Sequence, residues 1–232
     1  MPRKARAAPG GYVYHVLNRG VGRRALFEKD ADYAAFEAVL GRAREREPGV
    51  ALLTYCLMPN HWHLVVRPSR EGELGAFMHW LTLTHTRRWQ EHRRLHGSGH
   101  VYQGRYKSFP VQWEVHLLAV CQYVERNAAR AGLVERAEAW RWSGLWVRRY
   151  GDAEQRAWLS PWPIPGGVPR QWLRTVNASL SEAELTAVRR SVARGRPYGT
   201  PAWTTRVAER MGLGHTLRSP GRPRKDRGSG AA

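Results

Sequence analysis

Val50-Ala-Leu-Leu-Thr-Tyr-Cys-Leu-Met58 runs through Pro59-Asn60 straight into His61-Trp-His-Leu-Val-Val-Arg67. Both runs have strand length and are dominated by aliphatic, β-branched and aromatic residues. Only two turn-forming residues separate them, which is the spacing of an antiparallel hairpin. Working outward, Leu74, Phe77, Met78 and Leu81 recur at helical spacing, and the pattern runs to about Leu95 before Gly97-Ser98-Gly99 closes it. Residues 100–111 have strand character. From 113 to about 131 the stripe Leu117, Val120, Cys121, Val124, Ala128 predicts a helix with Arg130 in its last turn and Gly132 beyond it. Upstream, residues 11–18 read as a strand. A helix follows, capped by Asp30 or Asp32, carrying Tyr33, Phe36, Val39 and Leu40 and ended by Glu47-Pro48-Gly49. The order is β-α-β-β-α-β-α. Its first six elements match the α+β, ferredoxin-like (RRM-like) split βαβ arrangement, an antiparallel sheet with two helices on one face. The other face is left for a ligand or for the last helix.

Beyond residue 138 the composition changes: six Trp lie between Trp140 and Trp172 amid several Pro. The expected division is a first domain over 1–137, a Trp/Arg-rich C-terminal extension over 138–217, and a basic tail over 218–232 expected to be disordered. Within the extension, Ser181 with Glu184 forms a capping box for a helix to about Arg194, and residues 203–211 suggest another.

The 232 residues carry 38 Lys+Arg against 19 Asp+Glu, a formal charge of +19, and only four of the cations are Lys. An Arg-dominated excess of this size points to a polyanionic partner. Eleven Trp and 42% hydrophobic residues argue against wholesale disorder. No apolar run approaches the ~20 residues of a membrane helix, and none follows the basic leader Arg3, Lys4, Arg6 as a secretory signal would. Cys56 and Cys121 are too few for a metal framework and do not suggest an oxidising compartment. A cytoplasmic, nucleoid-associated protein is the expectation.

Two features could carry chemistry. On a strand, His61 and His63 point to one face while Trp62, Leu64 and Val66 point to the other, so the two imidazoles can share a divalent ion if another ligand joins them. The plain alternative is two histidines on a half-wet sheet face. On the last helix, Tyr123 and Asn127 are four apart and share a side; alternatively, Tyr123 packs its ring in the core and Asn127 fixes a helix end. Taken together, a metal on His61 and His63, completed by the Asn127 oxygen, would polarise a phosphodiester for in-line attack by Tyr123. Arg87, Arg88, Arg93, Arg94, Arg105 and Lys107, interleaved with Trp89, Tyr102 and Tyr106, fit a surface that tracks phosphates and stacks bases. Gly221-Arg222-Pro223-Arg224 has the form of a minor-groove-inserting Arg-Pro segment, or of a nonspecific cationic tail. His79, His85, His92, His96 and His100 read as surface histidines.

Three motifs carry a family resemblance: Met58-Pro-Asn-His61-Trp-His63-Leu-Val-Val66, Tyr102-Gln-Gly-Arg105-Tyr-Lys107-Ser108, and Tyr123-Val-Glu-Arg-Asn127-Ala-Ala-Arg130-Ala-Gly132-Leu-Val134. In order and spacing they closely resemble the single-tyrosine HUH (IS200-like) transposases, His-hydrophobic-His endonucleases of single-stranded DNA, over about residues 9–135. Trp142-Ser143, Arg194-Gly-Arg-Pro-Tyr-Gly199 and Gly221-Arg-Pro-Arg-Lys225 are similar to the C-terminal part of the REP-associated tyrosine transposase branch. The resemblance implies His61 and His63 as metal ligands, Asn127 as third ligand and Tyr123 as nucleophile. It also implies Mg²⁺ or Mn²⁺ as cofactor, hairpin-forming single-stranded DNA as partner, and a monomer or homodimer. Ala128 departs from the family's usual Pro after the Asn. Two competitors stand beside this reading: a non-catalytic DNA or RNA hairpin-binding regulator on the same scaffold, and a metal-dependent phosphodiesterase in which water is the nucleophile.

Overall fold

The computed structural model describes residues 8–95, 97 and 99–218; the leader Arg3, Lys4 and Arg6, His96, and the tail with Arg222 and Arg224 lie outside the described residues. Among the described residues four strands, β1 (Val13–Arg19), β2 (Val50–Met58), β3 (His61–Pro68) and β4 (Lys107–Val111), form one sheet of order β2-β3-β1-β4. Every pairing is antiparallel. Helix α1 (Asp30–Arg46) connects β1 to β2, and α2 (Glu73–His92) connects β3 to β4. The split βαβ arrangement expected from the pattern is therefore the one formed. No helix among the described residues is long and apolar enough to cross a membrane.

Alternation along the strands sorts the side chains into two cores. Tyr14, Val16, Leu52, Tyr55, Leu57, Trp62, Leu64 and Val66 face α1 and α2 and meet Phe36, Leu40, Phe77 and Leu81. Val13, Leu53, Cys56, Val65, Phe109 and Val111 face the opposite way and meet Leu117, Val120 and Val124 of α3 (Val115–Glu125). A register shift between Leu52 and Thr54 inserts one extra residue into β2. That bulge lets both Leu53 and Thr54 turn toward α3, where Thr54 Oγ1 donates to Glu125 at 2.5 Å. The last helix thus covers the second sheet face.

Three local expectations are corrected. Residues 100–106 are not strand: their aromatic content serves the core, since the Tyr102 hydroxyl accepts from Trp62 Nε1 at 3.0 Å. The hydroxyl also lies 2.7 Å from His85 Nδ1, so His85 is a buried network member and not a surface histidine. The helix expected over 113–131 breaks at Arg126 (φ −83, ψ 2), giving α3 and the single turn α4 (Asn127–Arg130).

The Trp-rich segment runs along the sheet. Its helices are α5 (Gly144–Tyr150), α6 (Ala153–Ala157), α7 (Trp172–Asn177), α8 (Glu182–Arg194) and α9 (Pro201–Arg210). Trp140 Nε1 donates to the Leu57 carbonyl and Trp162 Nε1 to that of Leu53, while Leu57 N donates to Trp142 O. The free edge of β2 is thereby paired. Tyr198 does the same for β4, donating to Pro110 O and accepting from Gln112 N. Covered edges remove the open ladder on which another strand could add.

Gly144 seats α5 against β2. A Cβ there would stand 2.4 Å from Thr54 Oγ1 and 3.1 Å from Thr54 Cα, and Thr54 is tethered to Glu125 and cannot swing aside. Gly144→Ala is expected to destabilise the fold by about 1–3 kcal/mol, read as a lower midpoint in chemical denaturation with an unchanged slope.

Candidate active site

His61 and His63 occupy alternate positions at the start of β3, and both rings turn toward α3 and α4. The ring centroids are 4.9 Å apart and nearly perpendicular. Across the sheet, β1 sets Arg19 opposite His61 and Leu17 opposite His63. Each imidazole has its Nδ1 engaged. His61 Nδ1 is 2.6 Å from Asn60 Oδ1, an acceptor only, so His61 carries its proton on Nδ1 and offers a lone pair at Nε2. His63 Nδ1 lies 2.9 Å from His15 Nε2. Burial, with Arg19 and Arg130 adding to it, depresses His61 to about 4. Burial puts His15 at about 3 and, together with the neighbouring His61 and His15, holds His63 well below the usual histidine value. All three rings are neutral at pH 7, the form that binds metals.

Helix α3 carries Tyr123 onto the same face. Its ring, 7% exposed, lies 6.0 Å from that of His63 and edge-on to it. The helix break follows directly. Arg130 reaches back so that its guanidinium donates to the Tyr123 carbonyl at 3.1 Å, covers the Tyr123 ring at 4.1 Å, and donates to Asn127 Oδ1 at 2.6 Å. Asn127 consequently presents its amide nitrogen, not its oxygen, to His61 Nε2, at 3.5 Å. The Asn127 oxygen can turn to the histidine pair only when Arg130 lets go. Burial lowers the pKa of Arg130, and the adjoining Tyr123 works against that shift.

The donor chemistry fits a divalent cation: two neutral imidazoles side by side, their centroids 4.9 Å apart, and an amide oxygen within one side-chain rotation. Among the described residues no group of three or more His, Cys, Asp or Glu could hold a metal ion. A cation here would take its remaining ligands from the amide, from water and from substrate oxygen.

The cations expected to track DNA are divided by the sheet. Lys107, exposed, pairs with Leu17 and so lies on the His63 side. Arg105 is exposed in the segment held to β1 through Asn18 Nδ2 and Gly104 O. Arg87, Arg88 and Arg94 are exposed on and just beyond α2, across the sheet from the histidines. Arg93 is committed to Asp32 at 3.0 Å and Glu28 at 3.6 Å and lies over Trp89. Trp89 and Tyr102 are buried, and Tyr106 packs against the same core, so these rings build the fold. Arg222 and Arg224 lie outside the described residues. The sequence alone assigned no role at the site to His15, Arg19 or Arg130, the last being read only as a cation in the final helical turn. The available signal was their phase: His15, Leu17 and Arg19 alternate on the β1 face that meets His63, and Arg130 is one turn past Asn127.

The antiparallel α+β sheet carries a His-x-His pair on the face that a tyrosine-bearing helix covers. Residues 10–127, just over half of the chain, match the family model described as "Transposase IS200 like". The chain belongs to the IS200-like transposase family, which places it among DNA transposases. Two solved structures resemble it weakly. One is a REP-associated tyrosine transposase bound to a REP hairpin, at 15% identity and TM-score 0.47, covering 62% of this chain and 82% of that one. The other is a protein from Deinococcus radiodurans R1 described as a transposase, at 18% identity and TM-score 0.39, covering 52% of this chain and 93% of that one. No curated protein sequence matches the chain.

Proposed function

We propose that the chain is a metal-dependent single-stranded DNA endonuclease and strand transferase, acting on hairpin-forming repeats through a 5′-phosphotyrosine. The observation that carries this is the convergence of His61, His63 and Tyr123 on one sheet face, the tyrosine ring 6.0 Å from His63. His61, His63 and Asn127 would hold a divalent ion, Mg²⁺ or Mn²⁺, which when bound would supply Lewis-acid polarisation of the scissile phosphate. Tyr123 Oη attacks phosphorus and its proton passes to water. The P–O3′ bond breaks, and the departing oxygen takes a proton to become a free 3′-hydroxyl. Attack of another 3′-hydroxyl on the phosphotyrosine reverses the chemistry and joins a new end. Arg130, lying over the Tyr123 ring, stabilises the developing phenolate.

On this reading residues 1–137 carry the chemistry, the segment 138–217 braces the sheet, and the tail with Arg222 and Arg224 adds nonspecific grip. Arg87, Arg88, Arg94, Arg105 and Lys107 are positioned to meet phosphates of a folded hairpin on more than one side. Work on DNA puts the protein at the nucleoid, as a monomer or a homodimer.

The test is incubation of the full chain with 3′-labelled hairpin DNA, bearing a single-stranded flank, and Mn²⁺. A denaturation-resistant labelled adduct is the expected result, because the tyrosine stays joined to the 5′ end of the downstream fragment. Cleavage without an adduct would indicate water as nucleophile, and binding without cleavage would indicate a regulator. Arg19 supplies a narrower test. It stands opposite His61, and its Nε is buried without a hydrogen-bond partner. The residue as a whole is only half-buried and its charge stands at the edge of the site, so Arg19→Met is expected to weaken single-stranded DNA binding about 3- to 10-fold and to reduce the salt slope by about 1.

A further inference from the structure

We propose that His15 is a positioning residue for His63: from β1 its Nε2 accepts the His63 Nδ1 proton and so fixes the tautomer and ring angle that leave His63 Nε2 open to a cation. The inference rests on the metal-binding role proposed above for His61 and His63.

The geometry is specific. His15 is fully buried, its Nε2 is 2.9 Å from His63 Nδ1, and its ring lies 4.8 Å from that of Phe109, which limits its rotation. His63 is likewise buried. Two neutral imidazoles sharing one hydrogen bond have two arrangements. If His15 donates, the proton of His63 sits on Nε2 and blocks the lone pair needed for a ligand. If His63 donates, Nε2 is bare, and the hydrogen bond raises its basicity, which is what partners behind a ligating histidine commonly do. The ring's position also costs stability, because His15 Nδ1 is buried with no hydrogen-bond partner. A buried polar atom with no protein partner is uncommon in native folds and calls for an explanation. The register explains how β1 reaches the site: His15 pairs with Val65 on β3 and with Phe109 on β4, one step along the same face from His63.

The experiment is calorimetric titration of Mn²⁺ into the full chain without DNA, for the wild type, His15→Phe, His15→Gln and His63→Ala, with thermal midpoints recorded for each. His15→Phe keeps a flat ring beside Phe109 but removes the acceptor, and it is expected to weaken Mn²⁺ binding about 10- to 100-fold. Its thermal midpoint should equal or exceed that of the wild type. His15→Gln restores a carbonyl acceptor near the Nε2 position and is expected to recover most of the affinity. If His15→Phe proves unable to fold, His15→Leu replaces it with the same expectation for Mn²⁺. A folded His15 variant that lacks an acceptor yet binds Mn²⁺ as the wild type does would overturn the proposal while leaving the histidine pair standing. So would a lowered midpoint with unchanged affinity, the signature of a packing role. Failure of the wild type to bind, or binding by His63→Ala equal to wild type, would overturn the metal reading itself and this inference with it.

Discussion

Tyr123→Phe is expected to abolish the covalent protein–DNA adduct and to reduce strand cleavage by about 10⁴-fold or more, the scale of losing a sole nucleophile. The substitution removes one oxygen and leaves the ring, so the contacts that position it persist: Arg130 at 4.1 Å above its face and His63 edge-on at 6.0 Å. Fold and DNA affinity should therefore match the wild type, which makes the variant a clean probe of chemistry. Gel analysis under denaturing conditions separates the outcomes. An adduct surviving in Tyr123→Phe would identify another nucleophile. Persistent cleavage with no adduct in either protein would favour a water-using phosphodiesterase. The contrast is sharp because a neutral phenol is a poor nucleophile, with a reference pKa of about 10, and needs the cationic surroundings that Arg130 and a metal provide.

The β2–β3 hairpin was legible because its evidence is local. Two strand-length runs meet at Pro59-Asn60, and the period-two phase of His61 and His63 against Trp62, Leu64 and Val66 assigns each side chain to a face without further information. Which of the two faces the last helix would cover was left open by that phase; the structure places α3 over the histidine face. The break at Arg126 was not legible. Residues 113–131 suit a helix throughout, and no local pattern marks the break at Arg126. The orientation of Asn127 follows from its contact with Arg130, whose guanidinium also holds the Tyr123 carbonyl across the break. His15 lies 48 residues from His63 and gains meaning only through the β1–β3 register, a long-range pairing that no local pattern encodes. Charge behaved in the opposite way. Its quantity was obvious, but its distribution depended on the sheet, which sends Lys107 to the histidine side and Arg87, Arg88 and Arg94 to the other.

His61→Ala is expected to reduce cleavage by about 10³-fold or more while DNA affinity stays within about 3-fold of wild type. The separation follows from charge. Binding of single-stranded DNA is dominated by cations that displace counterions, and each contributes to the slope of affinity against salt. His61, held at about 4 by burial and by Arg19 and Arg130, is neutral at pH 7 and adds nothing to that slope. Its removal should leave both affinity and salt dependence intact. Its lone pair at Nε2 is another matter. The Nδ1 contact with Asn60 directs that nitrogen into the space shared with Asn127, and Ala offers no donor in its place. The ring is at the margin of the second core and only half-buried, so truncating it spares the packing that His63 and Val65 share with α3. Filter binding across a salt series, run beside single-turnover cleavage in Mn²⁺, reads both quantities on one preparation. Collapse of affinity would make the histidine pair a binding element of the DNA surface. Intact cleavage in His61→Ala would move the metal elsewhere and remove the reason for the tyrosine to face this sheet.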